Sequence, residues 1–447
     1  MRDQSEQPSF ISGLVIFILI NLSLLFLVLS PVIPNPRGKH LDDRFLRDVD
    51  SRIKSARTGK IKLTLQFPNG SRPAHAKINF RQTGHEFIFG CNFFEFKTFK
   101  NAGENELYEQ YFKRLFNLAV LPFYWSMYEP APGKFPTVEK LDQAVDWCDR
   151  NQVLAKGHPL VWRNPAGYPK WLPNDRQKVT ALLQARIEDT VSKFNGRVKM
   201  WDVVNEPTHL PSFGSQSRYD YVRNSLLRAH EKDPKAVLGI NDYGILGHDF
   251  GRGFYFRLIE KLRAENAPLA YIGFEGHEPR TDWIPAREIW ASLDSYSRLK
   301  VPIYITEITI PSGELPITNS WKKGMWTEQA QAEYLERFYK TCFSHPGVAG
   351  IIYWDMCDSA SWVKNAGLIK KNWAPKPSYQ MLDRLINHEW HSEGTGETDA
   401  RGSFSFTGFY GTYEISLPDS GLRYIIFAHK SRDNSFVLNL PRPGNKK

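Results

Sequence analysis

Cysteine is scarce in this chain: Cys91, Cys148, Cys342 and Cys357 are the only four in 447 residues. None has CxxC or other metal-type spacing, so no metal-binding module is expected. Buried free thiols are the expected state, with a single Cys91–Cys357 bridge left open if those segments prove to be neighbours. Runs of like charge are missing as well. The formal net charge is +10, which would suit an acidic polymer or a membrane surface. Lys and Arg are scattered, however, so ordinary solvated faces explain the excess and no nucleic-acid partner is expected. Nothing in the residue pattern calls for a metal or an organic cofactor, and none is expected.

One uncharged hydrophobic run stands out. "FISGLVIFILINLSLLFLVLS", residues 10–30, is about long enough to span a bilayer as a helix. A cleaved signal peptide is the rival, although a cut after Ser30 would leave Pro31 beside it. The expected organisation is a tail (1–9), an uncleaved transmembrane signal anchor (10–30) and a proline-rich linker (31–44). The flanking charges, Arg2 against Arg37, Lys39 and Arg44, lean toward a cytoplasmic catalytic part. Long domains override that bias, so the chemistry has to decide.

Aromatics are plentiful, at 14% of the chain, and serve either a large core or stacking platforms for sugar rings. Residues 45–86 hold two strand patterns, "KIKLTLQF" and "AHAKINFRQ", around a Pro-Asn-Gly turn. Asn69-Gly70-Ser71 is also a glycosylation sequon, usable only in a eukaryotic secretory pathway. From Phe87 to about residue 390, eight runs of β-branched and aromatic residues alternate with helical stretches. They begin at Phe87, Leu118, Leu154, Val198, Ala236, Ala270, Val301 and Gly347. Helices are expected over 175–194, with Asp175 in the first turn, and over 327–343, with Thr327 as N-cap. Eight such units argue for a closed (β/α)8 TIM barrel of the α/β class. Residues 391–447 return to strand alternation. They are expected to join the 45–86 strands in a small accessory β-sandwich.

The stretch "WDVVNEP" (Trp201–Pro207) ends a buried-looking strand on a carboxylate, and burying an unpaired charge costs several kcal/mol. Polar residues end most of the other runs too: His158, Asn241-Asp242, His277, Glu307 and Asp355. In this fold such ends ring the active-site mouth, which resolves the conflict. Glu206 and Glu307 end the fourth and seventh runs and can face each other there. Hydrolysis of a glycosidic bond needs such a pair, one group to protonate the leaving oxygen and one to attack or activate water at the anomeric carbon.

The chain resembles glycoside hydrolase family 10, the retaining endo-1,4-β-xylanases, over roughly residues 87–390. The matching segments are "WSMYEP", "GHPLVW", "WDVVNEP", "INDY", "GFEGH", "ITEITI" and "PKPSY", in that order. The resemblance implies Glu206 as acid/base and Glu307 as nucleophile. It implies that Asn205, His158, Trp162, Trp125 and Glu275 contact substrate, that His277 orients Glu307, and that Trp354 and Trp362 close over the reacting sugar. Its implied substrate is a polysaccharide, xylan or a related β-glycan, and the barrel then faces outside the cytoplasm. A monomer is expected.

Departures from the family matter. Val120, Leu121 and Tyr124 stand where its polar sugar grip is expected, Glu275 replaces a usual Gln, Arg163 a usual His and Asp355 a usual Gly. A drier, more aromatic mouth is the expectation. The alternatives are the same chemistry on another β-glycan, a transglycosylase, or a membrane-tethered carbohydrate-binding protein with weak catalysis.

Overall fold

The computed structural model describes residues 36–209, 213–247, 252–277, 282–318 and 320–442. The run at 10–30 lies outside them, and among the described residues no helix is long and apolar enough to cross a membrane.

Strands β1 (Thr58–Gln66) and β2 (Lys77–His85) precede the barrel. All eight expected runs are strands: β3 (Ile88–Asn92), β4 (Leu118–Pro122), β5 (Leu154–His158), β7 (Met200–Asn205), β8 (Val237–Asp242), β9 (Tyr271–Gly276), β10 (Ile303–Ile308) and β11 (Val348–Tyr353). Each pairs in parallel with the next, and β5 closes the ring on β7 through Lys156↔Met200 and Gly157↔Trp201. Gly157 is required at that closure, since a Cβ there would run into the Trp201 ring. Beyond His158 the strand breaks at Pro159, which offers no N–H, and resumes as β6 (Val161–Trp162) against the end of β7.

Alternation sorts the strand side chains. Leu118, Val120, Met200, Tyr271 and Ile352 fill the barrel, while Ala119, Leu121 and Val203 face the helices. The helix Arg176–Lys193 is capped by Asp175, whose side chain accepts from Gln177 N and Lys178 N. The helix Glu328–Ser344 is capped by Thr327 through Ala330 N. Both starts agree with the expectation.

The terminal strands form two sheets. One has the order β13 (Ser403–Phe409), β1, β16 (Ser435–Asn439); the other is β12 (Glu393–Glu397), β2, β14 (Gly411–Leu417), β15 (Leu422–Ala428). Ile61, Leu63, Ile78, Tyr413, Ile415 and Ile426 make the core between them. β1 and β2 do not pair with each other. They belong to opposite sheets, and the segment between them crosses the sandwich edge.

Two helices stand where a linker and the first β residues were expected: α1 (Pro36–Leu46) and α2 (Val49–Arg57). They dock on the barrel through ion pairs and apolar contacts rather than spacing it from the N-terminus. Arg337 pairs with the buried Asp42 at 3.4 Å. Arg57, at the end of α2, donates to the carbonyls of Phe343 (2.6 Å), His345 (2.7 Å) and Val348 (2.8 Å). All four cysteines are free and buried, so no Cys91–Cys357 bridge forms.

Arg57 thus satisfies the end of one barrel helix and the start of β11 at once. An Arg57→Ala variant leaves three carbonyls without their donor and should lose about 3 kcal/mol of stability. Urea denaturation measures this, and a loss below about 1 kcal/mol would mean that water replaces the guanidinium.

Candidate active site

The carboxyl ends of the barrel strands surround a cavity of about 1000 Å³. His158, Trp162, Asn205, Glu206 and Glu275 line it, together with His277, Glu307, Trp354 and Trp362. The strands end here because the chain changes character. Glu206, just past the last residue of β7, has a left-handed backbone (φ +50°) while its N–H still donates to Asn241 O at 2.7 Å. That conformation is rare for a non-glycine residue and costs on the order of 1 kcal/mol. It turns the chain off the sheet at the carboxylate, with Pro207 next.

Glu307 sits within β10, 4% exposed. Asn241 Nδ2 donates to Glu307 Oε1 at 2.7 Å and also approaches Asn205 Oδ1 (2.9 Å) and Glu275 Oε1 (3.0 Å). The Thr306 hydroxyl donates to Asn241 Oδ1, which fixes the amide with its N–H groups toward those acceptors. Gly273 leaves room for this, since a Cβ there would lie 2.6 Å from Asn241 Oδ1. On the other side, His277 Nε2 meets Glu307 Oε2 at 3.0 Å, and its Nδ1 meets Thr309 Oγ1 at 3.0 Å.

Beneath the pair lies a buried ionic network. Asp202 Oδ2 accepts from Lys156 Nζ and meets His158 Nδ1 at 2.8 Å, and Tyr271 OH donates to Oδ1 at 2.6 Å. His158 Nε2 then lies 3.6 Å from Glu307 Oε1. Burial alone would raise the Asp202 carboxyl, but Lys156 and His158 outweigh it and hold it well below the usual range. Burial also raises Glu206 and Glu307, and here it wins. Asn241 favours the ionised form of Glu307 by donating an N–H to it, while Glu206 feels Glu307 as a like charge, so the two carboxyls titrate as a pair.

A sequence model of glycosyl hydrolase family 10 matches residues 87–384. The chain belongs to that family. It is 28% identical over 420 residues to the anti-sigma-I factor RsgI6 of Acetivibrio thermocellus, covering 92% of this chain and 50% of that one. It is 28% identical to endo-1,4-beta-xylanase B of Thermotoga neapolitana, covering 68% of this chain and 88% of the relative. It is 27% identical to endo-1,4-beta-xylanase 2 of Arabidopsis thaliana, covering 81% and 32%. The chain therefore spans about half or less of the length of two of these relatives. Among solved structures, native xylanase 10B of Thermotoga maritima superposes with a TM-score of 0.58 at 26% identity, over 68% of this chain and 96% of that one.

Within this family 10 barrel, one expected contact residue is not at the site. Trp125 is 1% exposed and does not line the cavity. It heads the short helix Trp125–Tyr128, donates to Glu129 Oε2 at 2.9 Å and meets Trp171 edge to face. Its neighbour Tyr124 takes the cavity side, with ring centroids 5.6 Å from His158 and 6.0 Å from Trp162. Val120 and Leu121 are also displaced from the place expected of them. Both are fully buried within β4, one inside the barrel and one against the helices, and neither lines the cavity. Asn241 was legible as a strand-end residue of "INDY", but its three-way contact could not be read from spacing. Asn92 and Glu95, which also line the cavity, carried no motif at all.

Asp355 is 6% exposed, and burial pushes its carboxyl up to about 7. A folded-state value above the ordinary carboxylate value means that its contribution to stability is full at low pH and is lost as pH rises through about 7. Asp355→Asn cannot ionise. Its melting temperature relative to the unaltered protein should therefore climb by a few degrees between pH 4 and pH 8. A flat difference across that range would show that Asp355 titrates normally.

Proposed function

We propose that this chain is a retaining endo-glycosidase that hydrolyses a β-1,4-linked polysaccharide, xylan first, by double displacement. The observation that carries this is the carboxylate pair at one barrel mouth in a family 10 chain, both members raised by burial and Glu307 clamped by Asn241 and His277. Glu307 attacks the anomeric carbon as its bond to the leaving oxygen breaks, and Glu206 delivers its proton to that oxygen. A covalent glycosyl ester on Glu307 results. Glu206, now ionised, takes a proton from water as the water attacks the same carbon, which frees Glu307 and regenerates the acid.

The surrounding groups take supporting roles in this reading. Asn241 and His277 hold the Glu307 carboxylate in line for attack. Asn205 hydrogen-bonds a hydroxyl of the reacting sugar, a contact that strengthens as the oxocarbenium-like transition state forms. His158, fixed by Asp202, bonds the next hydroxyl, and Trp354 and Trp362 offer their faces to the sugar ring. The xylanase names of the relatives favour xylan as the substrate. A second reading, a membrane-tethered carbohydrate-binding protein with weak catalysis, draws on the relative whose match extends over 92% of this chain and which is named as an anti-sigma factor, not as a xylanase.

Glu307→Gln should abolish hydrolysis of xylan and of nitrophenyl β-xylobioside alike. Glu206→Gln should slow xylan hydrolysis about 100-fold or more. Nitrophenolate leaves without a proton, so this variant should still release a first burst of it and then stall. Proton NMR of the first product should show the β-anomer; an α-anomer, or a Glu307→Gln enzyme with a tenth of normal activity, rules out the scheme.

The substrate also sets the topology. Polysaccharide is extracytoplasmic, so we place the barrel outside, tethered by residues 10–30. In sealed right-side-out vesicles bearing the full chain, added protease should digest the barrel. Protection until detergent is added reverses the assignment.

A further inference from the structure

Beside Trp354 the cavity is also lined by Asn92, Glu95 and Asp355. The wall there is polar, and its residues come from two ends of the chain. Asn92 is the last residue of β3, Glu95 follows it in the loop, and Asp355 follows β11. β3 and β11 are hydrogen-bonded neighbours, with Tyr353 opposite Cys91, so the topology gathers the three on one wall. Asp355 Oδ2 accepts the Trp362 backbone N–H at 3.1 Å, and the Asn92 side chain bonds the same carboxylate. These contacts hold it in place at the cavity edge. Beside it lies an aromatic floor, where Phe94 and Trp354 meet edge to face at 5.4 Å.

A pyranose ring needs both features. Its C–H face packs on aromatic rings, and its hydroxyls donate to carboxylate and amide oxygens. The position of this wall fixes which sugar it meets. Glu206 leaves β7, on the far side of the ring from β3 and β11. The leaving part of the glycan lies beside the group that protonates it, so the chain on the β3–β11 side is the part that stays on Glu307.

We infer that Asn92, Glu95 and Asp355 form the binding site for the sugar unit next to the reacting one on its non-leaving side, and that this unit is uncharged. The inference rests on reading Glu206 and Glu307 as the hydrolytic pair. It replaces the drier mouth that the sequence suggested: the polar grip exists but comes from the first and eighth barrel strands instead of the second. Glu95, joined by Asp355 once that carboxyl ionises, repels a uronic acid there, which sets the charge preference.

The test compares nitrophenyl β-xyloside with nitrophenyl β-xylobioside, whose second sugar reaches this wall. In the unaltered enzyme the second unit should raise kcat/KM on the order of 100-fold. Asp355→Asn and Glu95→Gln should each cut that ratio about 10-fold, since each removes a charge-assisted contact. A nitrophenyl disaccharide with a uronic acid as its second unit should be a poor substrate that improves in the double variant. If Asp355→Asn does not fold, Glu95→Gln, on a half-buried loop residue, carries the comparison alone. Ratios that stay within twofold of the unaltered enzyme in a folded variant, or a preference for the uronic acid, overturn the assignment. If the unaltered enzyme cleaves neither glycoside, the hydrolytic reading itself fails, which is a different result.

Discussion

The carboxylate of Asp202 is the group around which the barrel mouth is organised. It is 0% exposed and lies deeper than any residue expected to meet substrate. A charge in that position is destabilising by several kcal/mol unless it is paired and fully hydrogen-bonded. Lys156 and His158 from β5 and Tyr271 from β9 meet that demand, so two strands are tied to one side chain on β7. An apolar trio of equal volume would serve stability as well. It would not fix the His158 ring, whose Nε2 edge is turned to Glu307 only because Nδ1 faces Asp202. The network therefore contributes position rather than stability, and every contact above it inherits that position.

The same logic separates the two ends of the barrel. At the carboxyl ends, strand geometry is given up where a side chain has to be aimed, as at the left-handed Glu206 and the break at Pro159. At the amino ends it is reinforced. Arg57 binds the start of β11, Lys430 reaches the carbonyl of Pro346, and the Glu86 N–H donates to Tyr410 O. The sandwich thus grips the face opposite the site, where motion would disturb the strand register and hence the spacing of Glu206 and Glu307.

The barrel could be read from the sequence because its signal is periodic and redundant: eight runs, most of them ending on a polar residue, leave few other folds. The site was legible wherever a residue's place in a strand also decides its direction, as for Asn205, Glu275 and Glu307. It failed where direction depends on the turn just beyond the strand. Trp125 and Tyr124 are adjacent in sequence, and a single short helix after β4 sends one into the core and the other into the cavity. Val120 and Leu121 failed for the opposite reason, since the strand runs on past them and keeps them inside. Helix α1 was hidden by three prolines that suggest a linker, whereas Pro36 sits at the first position of a helix, where its missing N–H is harmless.

Net charge says little about what the cavity presents to a ligand. The chain carries +10 overall, but Glu95, Glu206, Glu275, Asp282, Glu307 and Asp355 all line the cavity. Surface lysines and arginines are screened beyond about 8 Å at physiological salt, while groups in a partly dry cavity are screened far less. What a ligand meets on entry is therefore set by the carboxylates, not by the average. In the proposed function a neutral glycan crosses that boundary without electrostatic penalty, whereas an anionic polymer drawn to the basic surface would meet like charge at the mouth. The excess of positive charge and the proposed neutral substrate do not conflict, because they act at different distances.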